Sequence, residues 1–170
     1  PWLAGGSARL ILNEVNARDP SQLRGYLEVA GQRAEVVVAN PAGIVVDGGG
    51  FLNASRATLT TGVPIFGGNG APEGFSVRQG LVDIRGAGLD ASTTDATTIL
   101  ARAMVLQGGL WAKDLRVALG PQDMDPAVTW ASSATSGTGA TTGSGSGSTT
   151  TGGAGAGSGS TTTATGAGTG

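Results

Sequence analysis

The sequence predicts an all-β chain wound as a parallel β-helix with a low-complexity tail. Three observations predict it. Between residues 8 and 119 the apolar residues come in short runs. Gly, Asn, Asp and Pro separate the runs almost every time. Few of the breaks are two-residue hairpin turns; only Asp47-Gly48 and Asn69-Gly70 have that form. Runs this brief with turn residues this frequent read as many short strands. Sandwiches and barrels join such strands mainly by Asn-Gly and Asp-Gly hairpins. Tight single-residue corners instead suit coils that stack one on the next.

The strand segments, in order, are Ala8–Leu12, Arg24–Val29, Ala34–Ala39, Ile44–Val46, Phe51–Leu52, Ala57–Thr60, Gly74–Val77, Leu81–Ile84, Met104–Leu106 and Leu115–Leu119. In the second, Tyr26, Glu28 and Ala30 fall on one face and Leu27 and Val29 on the other, the period of a half-buried strand. Glycines at the corners supply positive φ. One segment departs from the pattern. In Asp95–Met104 the apolar residues Ala96, Ile99, Leu100, Ala103 and Met104 recur at helical spacing, with Thr94 or Asp95 as the N-cap. A helical turn leading into a strand at 102–106 is expected there. The pairs Thr93-Thr94 and Thr97-Thr98 weigh against a longer helix.

Composition divides the chain. Every residue from Ser132 to Gly170 is Gly, Ala, Ser or Thr. Such a stretch buries too little apolar surface to offset the entropy of ordering. The expected organisation is one β-helical domain over residues 1–126 and a flexible low-complexity tail over 127–170. The formal net charge is −2, and the arginines stand singly among acids. No basic run tracks a phosphate backbone, so nucleic acid is not an expected partner. Cys and His are both absent. That excludes thiol and His-based nucleophilic catalysis, a disulfide framework and most transition-metal sites. No apolar run approaches the ~20 residues of a membrane span.

Several motifs read better as structure than as chemistry. Gly86-Ala87-Gly88-Leu89-Asp90-Ala91 fits a dinucleotide fingerprint, but Ser92-Thr93-Thr94 is a poor start for the helix that fingerprint requires. The same residues match a single calcium-binding nonapeptide, which works only in tandem copies. Asp83, Asp90, Asp95 and Asp114, with Arg85, Lys113 and Arg116, offer carboxylates and cations for a β-helical polysaccharide lyase. Nothing in their spacing selects a pair. Asn53-Ala54-Ser55 is a glycosylation sequon that reads as a polar corner. Trp2, Trp111, Trp130 and Tyr26 stand apart in sequence and suggest no aromatic platform; Trp111 is expected in the core or stacked between coils. No cofactor and no catalytic residue is expected.

The ordered words of the chain carry a resemblance. Pro1-Trp2-Leu3-Ala4-Gly5-Gly6 looks like the end of an N-P-x-L-A-G-G motif. It is followed by Ala8–Val15, Ser21–Val29, Ala34–Ile44 with its Asn40-Pro41-Ala42-Gly43-Ile44, Gly50–Asn53, Arg56–Gly62, Gly88–Ser92, Ile99–Ala103 and Trp111–Val117. From Pro1 to about Gly120 the series is similar to the two-partner-secretion, or haemagglutination-activity, domain of filamentous-haemagglutinin and contact-dependent-inhibition exoproteins. The resemblance implies a right-handed parallel β-helix, here without the segment that caps its first coil. It implies a secretion-targeting domain of a Gram-negative exoprotein, secreted or displayed at the cell surface by way of the periplasm. A cognate outer-membrane transporter, with periplasmic domains and a barrel, is the implied partner, and the full-length protein would meet a host or neighbouring-cell surface. The motif positions carried over are Pro1, Leu3, Asn40, Pro41, Gly43 and Ile44. Each suits a corner: Pro fixes φ, Asn bonds its own backbone, Gly permits an unusual turn and Ile enters the core. Where many relatives carry a Cys-x-x-Cys pair, this chain has Val46 and Gly49. Recognition by strand addition onto an extended run such as Ala34–Ala39 is the expected mode. The rival readings are a truncated, non-exported remnant with a purely structural β-helix, and the lyase.

Overall fold

A computed structural model describes residues 6–68 and 70–124, together with the backbone of 161–164. Short strands follow one another in coils. The first coil takes β1 (Leu10–Glu14), β2 (Ser21–Leu23) and β3 (Tyr26–Glu28). The second takes β4 (Ala34–Ala39), β5 (Ile44–Val46) and β6 (Gly49–Leu52). In the third, β7 (Ala54–Thr60) is separated from β10 (Leu81–Ile84) and β11 (Leu89–Ala91) by an excursion through β8 (Val63–Phe66) and β9 (Pro72–Val77). The fourth takes β12 (Ala96–Ala101), β13 (Ala103–Leu106) and β14 (Leu110–Ala112). A fifth opens with β15 (Leu115–Leu119), after which β16 (Gln122–Met124) leaves the stack.

Corresponding strands pair in parallel to build three walls: β1-β4-β7-β12-β15, β2-β5-β10-β13 and β3-β6-β11-β14. This is the parallel β-helix that the short runs predict. The register is coil on coil. Val38 lies beside Leu59, Leu59 beside Ile99 and Ile99 beside Val117, so like residues stack in one inward row. The second wall stacks Ile44 on Val82, and Val46 on Leu23 and Ile84. The third adds Phe51 and Leu89. Phe51, Ile44, Leu59, Ile84, Leu89 and Ile99 are all fully buried. Each such side chain stabilises the fold by roughly 1.5–3 kcal/mol relative to exposure.

The first wall is buried on both faces. Its outward residues Val37, Ala39, Leu100 and Ala118 form a second apolar cluster with Phe75 and Val77 of β9. The β8–β9 hairpin thus covers the wall from outside, with β16 antiparallel on β9. Asp123 fastens β16 by accepting from Ser76 Oγ at 2.6 Å and from Arg78 Nη2 at 2.8 and 2.6 Å. Double burial explains why Val36–Ala39 is a continuous apolar run and not an alternating one.

It also explains why the expected helical turn does not form. The helical turn expected in Asp95–Met104 is absent; β12 and β13 occupy the segment. Thr97, Ile99 and Ala101 face the core and Thr98 and Leu100 face outward, and all five are buried. With both faces covered, apolar residues at helical spacing arise by accident. The β-branched Thr97, Thr98 and Ile99 favour the extended form, and both neighbours, β7 and β15, pair with it. Thr97 stays satisfied in the core, its hydroxyl 2.9 Å from that of Thr94, which in turn donates to Ala91 O at 2.8 Å.

Gly70 falls in the loop that joins β8 to β9, where Gly67 N donates to Ala71 O at 2.9 Å, and Asn69 lies outside the described residues. Asp47-Gly48 is instead a corner between two walls. The expected boundary at 126/127 lies outside the described residues, as do Trp2 and Trp130. Of the tail, Thr161–Ala164 (β17) runs antiparallel along β15.

Candidate functional site

Asn40, Pro41, Gly43 and Ile44 come together in the corner between β4 and β5; Pro1 and Leu3 lie outside the described residues. Asn40 is fully buried and fully bonded. Its Nδ2 donates to Asp19 O at 3.1 Å and to Ser21 Oγ at 2.9 Å. Its Oδ1 accepts from Ala42 N at 2.9 Å, an Asx turn. Its backbone N–H donates to Thr60 O and its carbonyl accepts from Gly43 N, both at 3.0 Å. One residue therefore ties the corner of the second coil to the first coil below and the third above.

The rest of the corner is equally close-fitting. Gly43 has φ of +124°, and a Cβ there would sit 2.9 Å from Leu81 O. Gly80, on the coil above, has φ of +89°, and a Cβ there would sit 2.7 Å from Pro41 O. Ile44 enters the core between Ser21 and Val82. Asn40 and Ile44 present no surface to solvent, and only Pro41 and Ala42 are partly exposed.

Reasoning from sequence missed how the corner continues. One coil on, Thr61 is buried and its Oγ1 accepts from Arg102 N at 3.2 Å, while Thr60 Oγ1 accepts from Gly62 N at 2.9 Å. The excursion to β8 leaves from this point. The Thr60-Thr61-Gly62 triplet was the available signal, since hydroxyls beside Gly are turn formers. At the Cys-x-x-Cys position, Val46 faces the core and a Cβ at Gly49 would meet Leu23 Cγ at 2.6 Å. A packed apolar contact occupies that place.

Other flagged residues are corners. Gly86 and Gly88 have φ of +55° and +77°, and strand β11 follows them where the dinucleotide fingerprint demands a helix. Asn53, with φ of +56°, donates through Nδ2 to Val29 O at 2.7 Å and Gly31 O at 2.8 Å, so the sequon asparagine is a bonded corner. Asp83, Asp95 and Asp114 each pair with a different arginine, Arg85, Arg33 and Arg116. The expectation for Trp111 fails: it is 54% exposed, on the outer face of β14. Ala34–Ala39 also differs from its expected role in the folded domain, being paired on both sides, by β1 and by β7.

Asp90 is the carboxylate most shaped by its neighbours. It accepts from Ser92 Oγ at 2.6 Å and Ser92 N at 3.0 Å, and from Tyr26 Oη at 3.0 Å. These bonds, the Ser92 hydroxyl first, hold its carboxyl below the usual carboxylate range, and Asp90 raises the Tyr26 phenol. A depressed folded pKa contributes stability above the unfolded value near 3.8 and loses it as pH falls through the folded one. Asp90→Asn should therefore lower the urea midpoint slightly at pH 6 and by less at pH 3. An equal deficit at both pH values would contradict the bonding described.

The profile of the TPS secretion domain family matches residues 3–167. A protein named toxin CdiA from Yersinia pestis is 52% identical over 127 residues, 75% of this chain and 4% of that protein. One named tRNA nuclease CdiA-2 from Burkholderia pseudomallei (strain 1026b) is 52% identical over 122 residues, 72% of this chain and 4% of its own length. The chain thus spans a small fraction of these relatives. Among solved structures, the filamentous hemagglutinin secretion domain superposes with a TM-score of 0.63 at 37% identity, covering 71% of this chain and 42% of that one. With stacked parallel coils, a bonded Asn-Pro corner and a profile match along nearly its whole length, the chain belongs to the TPS secretion domain family.

Proposed function

We propose that this domain targets a large Gram-negative exoprotein, of the haemagglutinin or contact-dependent-inhibition kind, for export through a cognate outer-membrane transporter. Residues 1–126 are the targeting unit in this reading and 127–170 a spacer. The domain itself carries out no chemical step. The observation that carries the reading is the coil-on-coil register: the inward row Val38, Leu59, Ile99 and Val117 is completed only when neighbours stack.

A single coil cannot bury its apolar row alone, so an incomplete chain stays extended. In that state Ala34–Ala39 offers free backbone groups for strand addition onto the transporter's periplasmic domains. Once β1 and β7 pair with it, those groups are consumed. Folding outside the cell then opposes return without any nucleotide. In the folded domain the Asn40–Ile44 corner shapes the coils, since Asn40 and Ile44 are sealed from contact.

The test joins the chain to a signal peptide and assays the medium with and without the cognate transporter. Export that depends on the transporter is expected. Absence from the medium even with the transporter present would contradict the proposal and leave the non-exported-remnant reading in its place. Display at a host or neighbouring-cell surface belongs to the longer exoprotein in this proposal.

A further inference from the structure

Tyr26, Gly50, Asp90 and Trp111 are successive partners across the third wall, and all four face outward. Residues 85 positions apart in sequence therefore meet on one surface. Gly50 lets the Tyr26 ring lie flat against the wall, because a Cβ there would come within 2.4 Å of that ring. Gly109 does the same for Trp111, at 2.3 Å. Both rings are 54% exposed. Beside Asp90 and these rings runs an open groove of about 530 Å³, lined also by Gly48, Gly49, Ala87 and Ser92.

The charge in this groove is one-sided. No Lys or Arg is among its lining residues. Asp83, Asp95, Asp114 and Asp123 each have an arginine within salt-bridge distance, whereas Asp90 has none among the described residues. Ser92 N and Oγ fill its Oδ1 and Tyr26 Oη takes one site on Oδ2, which leaves one acceptor site on Oδ2 free. Asp47, whose Oδ1 accepts from Ala87 N at 3.1 Å, places a second carboxylate at the rim.

We propose that this groove binds a guanidinium group, the end of an arginine side chain on a partner polypeptide, stacked against the exposed rings and paired with Asp90. Guanidinium is planar, weakly hydrated and able to stack on aromatic faces while donating to a carboxylate. A sugar would also stack on such rings, but it would leave the groove's negative charge uncompensated.

The test uses the full chain, labelled with ¹⁵N. A doubly capped Gly-Arg-Gly peptide should shift the Trp111 indole N–H and the Gly49 amide saturably, and added salt should weaken the effect. The citrulline counterpart, of similar shape and no charge, should not shift them. Asp90→Asn should weaken binding about ten-fold or more, and Trp111→Ala, which keeps the carboxylate, several-fold when read at Gly49. Unchanged amide shifts elsewhere establish that each variant is folded. Equal shifts from the citrulline peptide, unaltered binding by Asp90→Asn, or saturable shifts from maltose would overturn the proposal. Binding of free guanidinium without binding of the peptide would overturn it as well, marking a small-ion site.

Discussion

Phe51→Ala is expected to destabilise the domain by about 3–5 kcal/mol. Phe51 is fully buried and belongs to the cluster that joins all three walls. Its ring has no space to be replaced by relaxation, because the parallel register fixes each coil against two others. A domain of this size has a net stability of only ~5–15 kcal/mol, so one such cavity removes a large share of it. Urea denaturation of the wild type and variant measures the loss. Leu52→Ala, one residue on and 38% exposed, serves as the control and should change stability by under about 1 kcal/mol. Equal losses at the two positions would mean that Phe51 does not face a common core.

Asn40→Ala has the second largest expected effect, about 3 kcal/mol. The substitution strips Ala42 N, Asp19 O and Ser21 Oγ of the buried Asn40 side chain at a part-buried corner. Each buried polar group left unpaired costs ~1–3 kcal/mol, and some relaxation toward water offsets part of the sum. The functional consequence separates shaping from contact. If the corner shapes the coils, export should fall with stability and recover at lower temperature, where the variant folds. A variant that is as stable as the wild type yet stays in the cell would assign Asn40 a direct contact with the transporter.

The legibility of the fold followed burial. Strands with apolar residues on a solvent-bounded face, such as Leu81–Ile84, are plain in the sequence because alternation marks them. Ala34–Ala39 was plain for a different reason, the unbroken apolar stretch Val36–Ala39 ending at the Asn40-Pro41 turn. Ser21–Leu23, Leu89–Ala91 and Leu110–Ala112 are three residues each and carry little pattern of their own. They are strands because neighbours hold them in register, which a local reading cannot see. The β8–β9 excursion also hid the repeat. Twenty-one positions separate Val38 from Leu59, forty separate Leu59 from Ile99 and eighteen separate Ile99 from Val117.

The corner was legible because its chemistry is local. Asn, Pro and Gly in that order specify an Asx turn with positive φ nearby, and the structure builds one. Its long-range role was not legible, since Asp19, Ser21 and Thr60 reach Asn40 only after stacking. The same holds for the groove of Tyr26, Asp90 and Trp111. Nothing near any one of them announces the others, and only the coil register brings them to one wall.

Nuclear Overhauser contacts between backbone protons test the coil-on-coil register most directly. Val37 should show contacts to Leu12 on one side and to Thr58 on the other, in the pattern of parallel neighbours. Close Hα–Hα contacts pairing β4 with β5, or β5 with β6, as antiparallel neighbours would contradict the stacked coil and everything drawn from it.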